Sequence, residues 1–431
     1  MRQPPSLHRT LLASLALLAA CALLLLASQW DLPGLVGWRG HALPATLLAA
    51  GLLTVLPLWR RWPLRGLISP IALVALILSG SWLAQHSWSR HQVMRAPAET
   101  ARQLGQHVIA GYTDEAELRE LIARGLIGGV FITRRNIDGM DAGQIRTLIA
   151  GWQALRREHG LPPLVIATDQ EGGLVSRLSP PLDFQPALGK VLADSQDAEK
   201  AAEQYGAQQG RGLAQLGITL NFAPVVDLDH GIRNPDDRYS KISQRALAST
   251  PAAVSSAAAA YCRGLRQQGV QCTLKHFPGL GRVFEDTHAD SASITTPLAE
   301  LERSDLHAFR TLMDKGAVTM LAHARLTALD ATLPASSSPA VIGMLRRDWG
   351  YQGLLITDDL SMAGAREAPG GIEAGAVSAL NSGVDWLLVA WDPALVYPVL
   401  AALLDAQEAG SLDAVQLHNS GQRLQQLPPR R

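Results

Sequence analysis

Between residues 106 and 390 the chain repeats one pattern eight times: a short apolar, β-branched run ends in a polar cluster, and a longer helix-like stretch follows. The runs are QHVIAGY (106–112), GGVFIT (128–133), PLVIAT (163–168), ITLNFAPV (218–225), QCTLKH (271–276), AVTMLAH (317–323), GLLIT (353–357) and VDWLLVA (384–390). Runs this short and this apolar suit strands buried on both faces, and their alternation with helices predicts a parallel sheet. Eight such units predict an α/β fold, a (β/α)8 TIM-type barrel. A doubly wound open sheet is the competing arrangement, but no G-x-G-x-x-G follows the first run, so a dinucleotide fold has no support. The stretch 252–269 shows the helix logic: alanines and Leu265 suit a face packed on a sheet, and Gly269 suits the position past the end.

The first ninety residues follow a different rule. Leu11–Ser28, Ala42–Trp59 and Gly66–Ala84 carry no charge, and each is near the length that spans a bilayer as a helix. Trp30, Trp38, Trp59, Trp62, Trp82 and Trp88 lie at or near their ends, where an interfacial belt would put them. Arg2 and Arg9 precede the first run, Arg60, Arg61 and Arg65 separate the second from the third, and only Arg39 lies between the first two. The positive-inside rule then puts the N-terminus in the cytoplasm. Residues 1–92 are expected to form a membrane segment of about three helices. Residues 93–431 form the barrel, delivered in a bacterium to the periplasmic or extracellular side of the cell membrane. Two rivals exist. Leu18-Ala19-Ala20-Cys21 resembles a lipoprotein processing box, although the residues after Cys21 stay apolar and two further runs follow. A buried soluble bundle is the other.

Charge is balanced, 38 basic against 38 acidic residues, which argues against nucleic-acid binding through a basic face. Of three cysteines, Cys262 and Cys272 could bridge in an oxidising compartment, but are read as buried small hydrophobes. No C-x-x-C or other set has defensible metal-ligand spacing, so neither metal nor cofactor is expected. Nothing calls for an obligate protein partner. The C-terminal QRLQQLPPRR is polar and expected to fray.

In a barrel of this kind chemistry sits just past the C-terminal ends of the strands. DQEGG follows the third run, FPGLGRVFEDTHAD the fifth, and DDLSM the seventh. Asp358 is then a nucleophile, general base, metal ligand or helix cap, with Asp359 available to cap if Asp358 is not. Asp169 follows its strand directly, Gly172 and Gly173 permit a tight turn, and Arg177 can reach back. A carboxylate and a guanidinium together suit adjacent sugar hydroxyls, or else brace the loop. Lys275 and His276 end a strand and are rigidly placed. Asp286 and His288 lie beyond a glycine-rich turn, on a segment that can move. A carboxylate two residues from a histidine can orient the ring for general acid work; alone, a D-x-H is more often surface decoration.

KHFPG-x-G with a later D-x-H, preceded by DQEGG-x-V-x-R and followed by T-DDLSM, resembles glycoside hydrolase family 3, specifically its single-domain β-N-acetylhexosaminidase branch. The likeness runs from about residue 100 to about residue 395, with further echoes in LIGGVFITRRNI, LNFAPVVDLD and AGAVSALNSGVDWLLV. The resemblance implies a retaining enzyme without metal, acting on β-linked N-acetylglucosamine in peptidoglycan fragments or chitin-type oligosaccharides. It makes Asp358 the nucleophile and His288, paired with Asp286, the acid/base. Asp169, Arg177, Lys275 and His276 bind the sugar, joined by Arg245 on the weaker match SQRALASTP. Leu280 stands where the family commonly has histidine. A phosphorylase, a β-glucosidase and, from another class, a catalytically silent membrane glycan sensor are the competing readings.

Overall fold

The structure is a computed structural model that describes residues 7–30, 33–60, 62–313 and 316–426. Two compact units divide the chain, residues 1–94 and 95–431.

Three helices make up the first unit: α1 (Leu7–Ala27), α2 (Arg39–Trp59) and α3 (Arg65–Arg95). Each is long and apolar enough to cross a membrane. The packing is inverted relative to a soluble bundle. Alanines lie inside: Ala13, Ala16 and Ala20 pack with Ile68 and Ala72, and Ala27 with Ala50 and Ala75. Leu11, Leu15, Leu18, Leu48, Leu52 and Ile77 point outward. Small residues inside and leucines outside are what helices packing in lipid select, because lipid is as apolar as leucine and close backbone approach is the gain. Trp38 and Trp88 are exposed. Trp30 instead is buried, and its Nε1 donates to Ser79 Oγ at 3.0 Å. Arg2, Arg61, the Trp59 side chain and tail residues 427–431 lie outside the described residues; the stretch before that tail is helical from Ala414 to Gln425.

In the second unit all eight expected runs are strands: β1 (Val108–Ala110), β2 (Gly129–Ile132), β3 (Val165–Thr168), β4 (Leu220–Asn221), β5 (Gln271–Phe277), β6 (Val318–Leu321), β7 (Leu355–Asp359) and β8 (Trp386–Val389). They pair in parallel in chain order and close, β8 on β1, into a barrel. Helices connect them, among them α4 (Glu115–Arg124), α5 (Ala142–Glu158), α6 (Ala198–Leu216) and α7 (Pro251–Gln267). Local chemistry sets their ends. Asp114, Asp141 and Asp197 accept backbone N–H groups of the first turns of α4, α5 and α6, and Pro251 opens α7 at a position that needs no N–H.

Alternating strand residues fill the barrel: Ile109, Phe131, Val165, Ala167, Leu220, Phe222, Val318, Met320, Leu354, Ile356, Trp386 and Leu388. Phe131 and Phe222 stack across it with centroids 5.6 Å apart. Side chains alternate with period two along a strand. The next position of the same parity above Val165 and Ala167 is Asp169, and above Leu354 and Ile356 it is Asp358. The apolar plug therefore hands over to carboxylates at the C-terminal mouth.

Cys262 of α7 and Cys272 of β5 form a disulfide, with Cα atoms 5.5 Å apart. Both are buried, as expected, but they are not separate thiols. The turn at Gly269 folds the strand back along the helix and brings the two sulfurs together.

Candidate active site

Six elements meet at the mouth. On the β3 side, Asp169 Oδ1 lies 2.7 Å from Lys275 Nζ, and the same ammonium lies 2.7 Å from Glu171 Oε1. Glu171 also grips Arg245 bidentately, at 2.7 Å to Nη2 and 3.0 Å to Nε. Arg245 Nη1 donates to the Ser240 carbonyl at 2.7 Å. Glu171 is the centre of this group, although the sequence singled out only its neighbours. Burial disfavours all three charges, but mutual attraction outweighs it. Glu171, buried yet facing Arg245 and Lys275, is held well below the usual carboxylate range. Arg245 and Lys275 are likewise desolvated, yet held above their ordinary values by Glu171 and by Asp169.

The DQEGG turn is fixed from below. Gln170 N donates to Asn221 Oδ1 at 2.9 Å, and Asn221 Nδ2 returns a bond to Gln170 O at 2.8 Å. Gly172 has φ +95°, and a Cβ there would lie 1.9 Å from the Tyr205 hydroxyl, so the turn needs glycine twice over. Arg177 is exposed, and its backbone N–H donates to Asp169 O at 3.2 Å. The ion partner of Asp169 is Lys275, so the bracing Asp–Arg pair weighed as the alternative is not what holds this loop.

His276 is set by a second residue the sequence reading passed over. Asp227 Oδ2 lies 2.6 Å from His276 Nδ1, while Asp227 Oδ1 accepts the N–H groups of His276 at 3.1 Å and Leu280 at 2.7 Å. The opposite ring atom, Nε2, faces Arg245 Nη2 at 3.3 Å and the mouth. Leu280 is buried, 2% exposed. Gly281 beside it admits no side chain: a Cβ would sit 1.8 Å from Leu228 O.

At the end of β7, Asp358 Oδ1 accepts one hydrogen bond, from the N–H of Asp359 at 2.8 Å. Burial pushes the Asp358 carboxyl up, but the charge of neighbouring imidazoles, His276 foremost, reverses this and holds it below the ordinary value. Asp359 does not cap a helix, as the sequence suggested. Its carboxylate accepts the N–H groups of Ala390 at 3.0 Å, Trp391 at 2.8 Å and Ser361 at 3.1 Å. It thus ties β7 to the end of β8, and burial pushes its carboxyl up. His323, at the end of β6, is a third overlooked residue. It is buried, with Nδ1 2.7 Å from Ser336 Oγ and Nε2 3.0 Å from Asp359 O, and burial pushes its imidazole down.

The loop after β5 brings the dyad. Asp286 is 5% exposed and heavily bonded: Oδ2 accepts the N–H groups of Arg238 and Tyr239, each at 3.0 Å, and Oδ1 accepts Ser240 Oγ at 2.9 Å. Burial acts against its charge, but these bonds and that to His288 hold it well below the usual range. His288 Nδ1 lies 3.2 Å from both Asp286 Oδ1 and Ser240 Oγ, and its side chain is 43% exposed. Nδ1 is occupied, so Nε2 is the atom left for transfer. His288 is among the imidazoles that lower the Asp358 carboxyl, after His276 and His323. Among the described residues, no group of three or more His, Cys, Asp or Glu is placed to hold a metal.

Residues 98–427 match the family described as Glycosyl hydrolase family 3 N terminal domain. The chain is 36% identical over 309 residues to a beta-hexosaminidase of Alkalilimnicola ehrlichii, covering 70% of this chain and 85% of that one. It is 33% identical over 318 residues to beta-hexosaminidase LpqI of Mycobacterium tuberculosis, covering 72% and 77%. Among solved structures, a glycoside hydrolase family 3 beta-N-acetylglucosaminidase from Paenibacillus superposes with TM-score 0.69 at 33% identity; the match covers 77% of this chain and 62% of that longer one. A family member from Mycobacterium smegmatis superposes with TM-score 0.67 at 32% identity, covering 79% and 99%.

Proposed function

This chain belongs to glycosyl hydrolase family 3 as a glycoside hydrolase of the β-hexosaminidase type, and from that premise we propose that it is a membrane-anchored, retaining enzyme that removes terminal β-linked N-acetylglucosamine from peptidoglycan fragments or chitin-type oligosaccharides outside the cytoplasm. The observation that carries the reading is Asp358: a carboxylate at the barrel mouth that accepts one hydrogen bond, with neighbouring imidazoles, His276 foremost, holding it below its ordinary value. A structural carboxylate would have its lone pairs filled. This one keeps capacity for a bond yet to be made.

In the mechanism, Asp358 attacks the anomeric carbon and a covalent glycosyl-enzyme forms as the glycosidic bond breaks. His288 Nε2 gives its proton to the departing oxygen, and Asp286 stabilises the ring's charge until then. In the second half His288 takes a proton from water, the water oxygen bonds to the anomeric carbon, and Asp358 leaves. Lys275, His276 Nε2 and Asp169 would hold the sugar hydroxyls, with Arg245 steadied by Glu171 and Arg177 closing from the rim. The distribution of basic residues in the first unit supports export of the barrel, and the Cys262–Cys272 bond suits an oxidising compartment.

The test is turnover by the full chain in detergent, offered aryl β-N-acetylglucosaminide and aryl β-glucoside with and without phosphate, beside Asp358→Asn. Release from the N-acetyl sugar alone, lost in the variant, is expected. A rate that needs phosphate would make the enzyme a phosphorylase, and glycan binding without turnover would make it a sensor. A phosphatase fused after residue 95 should be active; activity of a cytoplasmic reporter there would overturn the topology.

A further inference from the structure

Among the described residues of the barrel unit, six large apolar or aromatic side chains are exposed: Leu174, Phe184, Tyr239, Phe284, Trp391 and Val415. Single exposed residues of this kind need no explanation. Their placement does, since all but Val415 lie on segments that follow strand C-terminal ends, around the mouth. Tyr239 stands out. The residue is 63% exposed, and its ring lies 5.7 Å, centroid to centroid, from the ring of His288. Its backbone is fixed, because the Tyr239 N–H is shared between Asp286 Oδ2 at 3.0 Å and Asp237 Oδ1 at 3.1 Å. Asp237 also accepts the N–H groups of Ser240 at 2.8 Å and Lys241 at 2.6 Å. One carboxylate, that of Asp286, therefore sets both the histidine and the tyrosine.

We propose that Tyr239 is the platform on which the sugar ring of the leaving group rests. The inference rests on His288 as the acid, as proposed above. A proton donor must touch the glycosidic oxygen, so the first ring beyond that oxygen lies beside His288. The exposed aromatic face there is Tyr239. A pyranose presents axial C–H groups on its faces and hydroxyls at its rim, which matches an aromatic ring whose edge is wet. A small alcohol would leave this ring unused. Tyr239 is thus a specificity-determining residue, acting on substrate beyond the bond that breaks.

The experiment compares kcat/KM of the full chain in detergent on N,N′-diacetylchitobiose and on methyl β-N-acetylglucosaminide, for the wild type, Tyr239→Ala and Tyr239→Phe. Both substrates need acid assistance, but methanol is too small to reach the platform. The loss caused by Tyr239→Ala should be about tenfold greater on the disaccharide, mainly in KM, with Tyr239→Phe within about twofold of wild type. Equal losses on the two substrates would overturn the proposal, since tyrosine would then act only by packing on His288. So would no loss on either. A wild-type enzyme that turns over neither would sink the hydrolase reading itself, and is distinguishable because it shows before any variant is made.

Discussion

The barrel carries a cluster of buried opposite charges at each end, and the two are built differently. At the N-terminal end Asp385 is fully buried and fully subscribed. It accepts Arg346 Nη2 at 2.7 Å, Arg423 Nε at 2.8 Å, Ser420 Oγ at 2.7 Å and the Leu355 N–H at 2.7 Å. These bonds join β7, β8 and the final helix. At the C-terminal end the charges are just as close, but they surround a mouth. Asp169 and His288 are partly exposed, and Asp358 makes one bond. The same residue types serve closure in one place and, in the proposed function, chemistry in the other. Unused hydrogen-bonding capacity marks the difference, not the count of ion pairs.

Substitutions can break that comparison. The largest effect is expected for Asp358→Asn, which should cut kcat by about a thousandfold or more while leaving the melting temperature near wild type. Asp385→Asn should do the opposite, costing about 3–5 kcal/mol in denaturant titration while the molecules that remain folded keep their kcat. If both variants lost stability equally, the division would fail. Glu171→Gln lies between, because it strands Arg245 and Lys275 as it loosens the sugar site. It should cost about 3 kcal/mol at neutral pH and raise KM. Its sign with pH is fixed. Glu171 is depressed in the folded state, so its stabilisation is complete above the unfolded value of about 4.3 and is lost as pH falls below it. The gap between wild type and Glu171→Gln should therefore narrow in acid titrations, and a gap that widens would contradict the assignment. The smallest effect belongs to His288→Ala on an activated aryl glycoside, about tenfold, against about a hundredfold or more on the methyl glycoside.

The fold was largely legible because each barrel strand is short, apolar and closed by a polar cluster, a pattern helices do not produce. Asp169, Lys275, His276 and Asp358 could be placed for the same reason: Asp169 and Asp358 are the first residues past such runs, and Lys275 and His276 are the last residues of one. What the sequence hid depends on neighbours far along the chain. Glu171 lies in the very motif that drew attention, but its importance comes from Arg245 and Lys275, which only barrel closure brings to it. Asp227 gains meaning from the β4–β5 adjacency, and Ser240 had no signal at all. Asp359 was read as a cap because local rules favour one after a strand, yet the open end of β8 supplied better donors. Cys262 and Cys272 lie on opposite sides of a turn. Five helical residues rise about 7.5 Å and three strand residues about 10 Å, so the distances nearly match. Spacing alone could not reveal that the two side chains face each other.

The central claim is that Asp358 makes a covalent bond to the sugar. Trapping tests it most directly: incubate the full chain with a fluorinated N-acetylglucosaminide bearing an activated leaving group, digest, and locate the added mass. One sugar on the peptide containing Asp358, absent from Asp358→Asn, is the result expected. A sugar on any other carboxylate, or inactivation with no adduct, would contradict it.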